Sequence, residues 1–187
     1  MNPELTIPVV DMVGIAMCLI CSAFFSGSET ALTYMSLTRA RHLLESEPEK
    51  YGILSFWLDR KQRILATLLV GNNLVNILCS ILAYRVALFY AADYAEAISV
   101  FGLTLVILVF AEVTPKTLAL HYAEKVVVPI LRVVWLVDKL LWLVTFPLTR
   151  IPELFLPRDG GAETEPPVTE DEIEFQKLEK EYESKGG

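Results

Sequence analysis

Phe101-Gly102-Leu103-Thr104-Leu105-Val106-Ile107-Leu108-Val109-Phe110-Ala111-Glu112-Val113-Thr114-Pro115-Lys116 carries one acid, set deep in an apolar run. The uncharged part is long enough to enter a bilayer, where a carboxylate costs about 2.5–3.5 kcal/mol on insertion scales. Such a residue needs a partner or a job. Pro115 has no N–H, so in a regular α-helix the carbonyl of Ala111, four residues back, loses its donor. An ionisable side chain and a freed carbonyl oxygen then arise within one turn, a start for a hard-cation site. A plainer reading pairs Glu112 with Lys116, one turn along the helix.

Working outward, the chain is 53% hydrophobic over 187 residues, and its apolar residues gather in runs long enough to span a membrane. Its charge is lopsided. Residues 1–152 hold 12 acidic and 12 basic side chains, whereas residues 153–187 hold 11 acidic against 4 basic, which accounts for the whole net −7. The membrane part is thus neutral and the acidity belongs to the tail. Without a basic stripe to neutralise phosphates, nucleic-acid binding is disfavoured. No nucleophile–base pair is visible, which argues against an enzyme. Cys18, Cys21 and Cys79 all lie in apolar runs and read as packing residues. With no basic residue before the first run, a cleaved signal peptide is not expected.

The expected fold class is an all-α membrane protein with three transmembrane helices and juxtamembrane amphipathic helices. The first span covers about Ile7 to Met35. Ser22 and Ser26, four apart, share one face of it. Ala23, Gly27 and Ala31 make a second ladder, suited to close helix packing, and Gly27 also lets the helix loosen. The second span, about Ile64 to Tyr90, carries Asn72, Asn73 and Asn76. One interhelical hydrogen bond would account for a single amide, but three in an apolar run point to a polar cavity. Arg85 is expected to snorkel to the interface. The third span covers about Ala97 to Leu120.

Lys and Arg favour cytoplasmic loops. Residues 37–63 carry Arg39, Arg41, Lys50, Arg60, Lys61 and Arg63, whereas 91–96 carries only Asp93 and Glu96. The expected orientation is therefore N-terminus out and C-terminus in, in a multi-pass protein of the cell membrane. Val126–Pro147 is apolar but interrupted by Pro129, Arg132, Asp138 and Lys139. With Trp135 and Trp142 two turns apart, it reads as a juxtamembrane helix on the inner face. Residues 1–156 then form the transmembrane domain and its helical belt. Beyond Pro157, residues 157–187 form an acidic linker and tail leading toward a cytoplasmic domain, with Thr169 and Glu172 as a capping box.

Three spans thus contribute one polar cluster each, at compatible depths: Ser22 with Ser26; Asn72, Asn73 and Asn76; Glu112 with Pro115. All side-chain donors are oxygen, which suits magnesium or sodium and is poor for zinc or copper. Ser26-Gly27-Ser28-Glu29-Thr30-Ala31, Gly71-Asn72-Asn73-Leu74-Val75-Asn76 and Glu112-Val113-Thr114-Pro115-Lys116 resemble the three signatures of the cyclin M/CorC family of magnesium transporters. Val168-Thr169-Glu170-Asp171-Glu172-Ile173 resembles the segment leading into that family's paired CBS domains, which are themselves absent from this chain.

The resemblance implies a homodimer in the lipid bilayer that transports Mg2+, with sodium-coupled export as the expected mode. It implies metal ligation by Ser22, Ser26, one or more of Asn72, Asn73 and Asn76, and Glu112. Nucleotide binding would come only through the missing CBS domains. Gly27, Ala111 and Pro115 are expected to supply hinges or backbone oxygens. The rival reading is a magnesium sensor that transports nothing but regulates another transporter; a mere membrane anchor would not need three polar clusters at matching depths.

Overall fold

The computed structural model describes residues 3–155, with side chains described over 8–147. The chain divides into two units, Met1–Ile151 and Pro152–Gly187. The expectations for 157–187, including the Thr169 cap, lie outside the described residues.

Among the described residues every element is helical. Helix α1 covers Pro3–Tyr34. A short break leads to α2, Leu37–Ser46, whose start is fixed by the Ser36 hydroxyl accepting the Arg39 N–H at 3.1 Å. That is the capping bond expected of a serine at this position. Helix α3, Pro48–Tyr51, precedes the long α4, Leu54–Tyr90, which is kinked where Arg60 takes φ −135° and ψ 30°. A 3₁₀ turn at Ala92–Tyr94 then reverses the chain into α5, Ala95–Ala97.

From there the helical ladder changes register twice. A π-helical stretch at Ile98–Gly102 is followed by α6, Leu103–Val106, then a second π stretch at Ile107–Val113, and finally α7, Thr114–Phe155. Three helical stretches are long and apolar enough to cross a membrane: Pro8–Tyr34, Pro48–Tyr90 and Ala92–Pro147. The fold class is therefore an all-α membrane domain of three such helices.

Contacts give the packing order. Between α1 and α4 the pairs are Asp11 with Arg85, Gly14 with Leu82, Ser22 with Asn72, and Phe25 with Gly71. One index rises as the other falls, so these helices are antiparallel. Between α1 and the third column the pairs are Gly27 with Pro115 and Glu29 with Lys116, and Ala31 clusters with Ala119. Both indices rise, so these run in parallel. The arrangement is up-down-up, which puts α2 and the end of the third span at one end of the bundle. Arg85 does more than snorkel: its Nε lies 3.1 Å from Oδ2 of the buried Asp11 and ties the far ends of α1 and α4 together.

Two features differ from the sequence expectation. No break separates the third span from the 126–147 segment, because α7 runs through both. Its course nonetheless changes. Ala119 and Ala123 pack with Ala31, yet Asp138 bonds Thr67, one turn from the Gly71 that touches Phe25. Between Ala119 and Asp138 a straight α-helix would advance about 28 Å. The two contacts are too close in depth for that, so α7 swings across the end of the bundle. Val127, Leu131 and Val134 join the main apolar core with Leu54, Trp57 and Ile64, while Trp135, Leu136 and Leu140 make the outward side of this stretch apolar too.

The second difference is at Gly27. Helix α1 is uninterrupted there. Gly27 instead packs against Pro115, where a Cβ would stand at ordinary contact distance, 3.4 Å from the Pro115 carbonyl oxygen.

Candidate functional site

Ser22 of α1 and Asn72 of α4 meet between two apolar clusters. On one side Cys18, Cys79 and Leu103 pack together; on the other lie Phe25, Leu32 and Leu68. The cysteines are free and act as packing groups. Between the clusters, the Ser22 hydroxyl donates to Asn72 Oδ1 at 2.9 Å. Close approach of the helices makes this bond possible. A Cβ on Gly71 would fall 2.7 Å from the ring of Phe25, so only glycine lets α1 come so near to α4 at this level.

Ser22 and Ser26 are each 1% exposed. The Oγ of Ser26 and the Oδ1 of Asn76 are buried without a hydrogen-bond partner. An orphaned buried polar atom costs about 1–3 kcal/mol, so two that flank the Ser22–Asn72 pair need a reason. Ser28 Oγ is a third such atom. It lies inside the first motif, but alternation of serine with glycine did not distinguish it from Ser26.

Asn73 stands apart. Its side chain is exposed, and its amide donates back to the Leu69 carbonyl at 2.9 Å. Of the three amides, Asn72 reaches α1 through Ser22, Asn76 buries its Oδ1, and Asn73 does neither. The adjacent position on a helix is rotated by about 100°, which explains the separation.

Glu112 sits half-buried in the second π stretch, next to the fully buried Ala111. Among the described residues it makes no ion pair or hydrogen bond. The plain pairing with Lys116 does not occur, because Lys116 Nζ instead lies 3.9 Å from Glu29 Oε2. The π register also changes which carbonyl Pro115 deprives. Thr114 donates its N–H to Val109 O, five residues back, and its hydroxyl reaches the same oxygen at 2.7 Å. With that N–H taken and none on Pro115, the Phe110 carbonyl lacks a helical donor, one residue earlier than an α register predicts. The Ala111 carbonyl loses its α-type donor as well.

Among the described residues no three His, Cys, Asp or Glu side chains gather into a chelating group. A cation here would meet neutral hydroxyl and amide oxygens, with the single carboxylate of Glu112 on the adjoining helix. Hard cations such as magnesium and sodium accept that donor set; soft metals do not.

Comparison with known proteins agrees with this architecture. The family model for the cyclin M transmembrane N-terminal domain matches residues 13–185. The UPF0053 inner membrane protein YfjD of Escherichia coli is 43% identical over 108 residues, covering 58% of this chain and 25% of the relative. A UPF0053 protein of Haemophilus influenzae is 40% identical over 109 residues, covering 58% and 26%. A DUF21 domain-containing chloroplast protein of Arabidopsis thaliana is 34% identical over 164 residues, covering 86% and 25%. The chain spans about a quarter of the length of these relatives. With three membrane-crossing helices and a family match over nearly its whole length, this multi-pass chain belongs to the cyclin M transmembrane N-terminal domain family.

Proposed function

We propose that this domain carries magnesium ions across the membrane, passing them through a largely dehydrated site lined by Ser22, Ser26, Asn72, Asn76 and Glu112. The observation that carries the reading is the buried Ser22–Asn72 hydrogen bond, flanked by Ser26 Oγ and Asn76 Oδ1, both buried without partners. Oxygen atoms so placed, beside a carboxylate without a basic partner, favour a hard cation over any other solute. Magnesium gives up water reluctantly, so such a layer selects by geometry and releases its ion slowly.

The remaining parts of the proposal are export in exchange for sodium, a homodimeric unit, and residence in the cell membrane with the N-terminus outside. The cationic 37–63 segment supports that orientation. No catalytic role is proposed.

Flux measured in protein-only liposomes tests the reading. Magnesium should move opposite to sodium, driven by an imposed sodium gradient, with the native chain and stop with Glu112→Gln. Magnesium binding without flux would favour the sensor reading instead, and absence of both would overturn the site.

A further inference from the structure

A charge that the cation layer does not use is buried between α4 and α7. Asp138 is 2% exposed, yet it continues the apolar stripe of Val127, Leu131 and Val134. Arg63 grips it with both arms of its guanidinium: Nε donates to Oδ1 at 2.8 Å and Nη2 to Oδ2 at 2.7 Å. The hydroxyl of the fully buried Thr67 donates to Oδ1 at 3.0 Å. A bidentate, charge-assisted pair with a third donor is strong and directional.

A buried ion pair adds little stability over well-packed apolar residues; its best-attested use is to fix register. Here the register is that of α7 on α4. The stripe of Val127, Leu131 and Val134 is aliphatic, and it would repack after a slip of one helical turn. Asp138 would not, since the slip strips it of Arg63 and Thr67 while leaving its carboxylate buried.

Helix α4 carries that setting toward the cation layer. Thr67 lies one turn before Gly71, which receives Phe25, and the next residue, Asn72, accepts the Ser22 hydroxyl. We propose that Arg63, Thr67 and Asp138 are positioning residues that hold the inner part of α4 where Asn72 meets Ser22. Docking of α7 and occupancy of the cation layer are thereby coupled. This rests on the magnesium reading for its consequence, but its geometric core does not.

Two measurements on the intact chain in lipid nanodiscs separate these. The first needs no magnesium. In a background with Cys18, Cys21 and Cys79 changed to Ala, Ser22→Cys with Asn72→Cys should form a disulfide readily under mild oxidation. Adding Asp138→Asn or Arg63→Lys should slow it by about tenfold, the scale on which outer-shell groups act. Thr67→Val, which keeps the shape and removes only one donor, should slow it by a smaller factor. The second is calorimetry of magnesium binding, where the same three changes in the otherwise native chain should weaken affinity in the same order. Unchanged cross-linking in Thr67→Val and Asp138→Asn overturns the proposal, even if melting temperatures fall. Slowed cross-linking in a chain whose unaltered form binds no magnesium leaves the positioning role standing and removes the cation reading.

Discussion

Gly27 and Pro115 touch across the parallel contact of α1 with the third helix: a Cβ on Gly27 would stand 3.4 Å from the Pro115 carbonyl oxygen and 3.5 Å from its Cβ. Those are ordinary contact distances, so one methyl fits and a branched side chain does not. Gly27→Ala should therefore keep or raise the melting temperature, aided by up to about 1 kcal/mol of helix propensity. Gly27→Val should lower stability by about 1–3 kcal/mol through overpacking. Thermal unfolding in detergent measures both, and a neutral Gly27→Val would mean that the contact is loose.

Glu112→Gln is the sharpest test of the ion layer. The change keeps size and one acceptor oxygen but removes the charge, and no basic partner is stranded because Lys116 lies beside Glu29. Magnesium affinity should fall by about 4 kcal/mol, the scale of a unit-charge pair at an effective dielectric of about 20. The melting temperature should hold or rise, since a neutral amide is cheaper to bury than a carboxylate. Ser22→Ala and Ser26→Ala should weaken binding less, each removing one neutral oxygen. Calorimetry and unfolding on the same preparations give the answer; retained affinity with lost stability would make Glu112 structural.

The three asparagines should divide. Asn72→Ala and Asn76→Ala remove oxygens facing the layer, and each should weaken magnesium binding by about tenfold or more. Asn73→Ala removes only an exposed amide bonded to its own helix, and affinity should stay within about twofold, well under about 1 kcal/mol. An equal loss at Asn73 would show that the site extends to the outer face of α4.

Sidedness can be read by cysteine labelling in intact cells, in a background free of the three native cysteines. Single cysteines replacing Glu45 in α2 and Asp93 in the 3₁₀ turn should label from opposite faces, with Asp93→Cys accessible from outside. Labelling of both from one side would break the up-down-up order.

Much of this was legible from residue order alone, for identifiable reasons. Apolar run length and isolated polar residues are properties of a line of text, so the three spans and the serine, asparagine and glutamate clusters could be placed in advance. What could not be read depends on rotation and register. Whether Asn73 or Asn76 is turned inward depends on about 60° of helix rotation, which nothing in Gly71–Asn76 sets. The π stretch at Ile107–Val113 shifts the carbonyl left by Pro115, and no residue type in it announces the extra amide per turn. The continuity of α7 was hidden because Pro129, Arg132 and Lys139 break the apolar pattern; just before them Glu124 is held by Arg39 in a two-point pair at 2.9 and 3.2 Å. Asp138 looked like an interruption of an apolar segment, and only its partners reveal it as part of the seam.

The displacement of Lys116 toward Glu29 has an electrical consequence. Serine and asparagine oxygens bring no formal charge, so a layer served by Glu112 alone is −1 when empty and +1 when it holds a divalent ion. Neither state is neutral, and each therefore senses the field across the bilayer. A full crossing by one elementary charge is worth about 2.3 kcal/mol per 100 mV, so the magnesium-loaded crossing should respond to voltage, whereas a return with one sodium ion on Glu112 is neutral and should not. Magnesium flux in liposomes clamped with a potassium gradient and valinomycin should rise as the imposed potential favours the loaded crossing and then level off. A flux indifferent to potential would mean that a second fixed charge, or a co-bound ion, travels with the first.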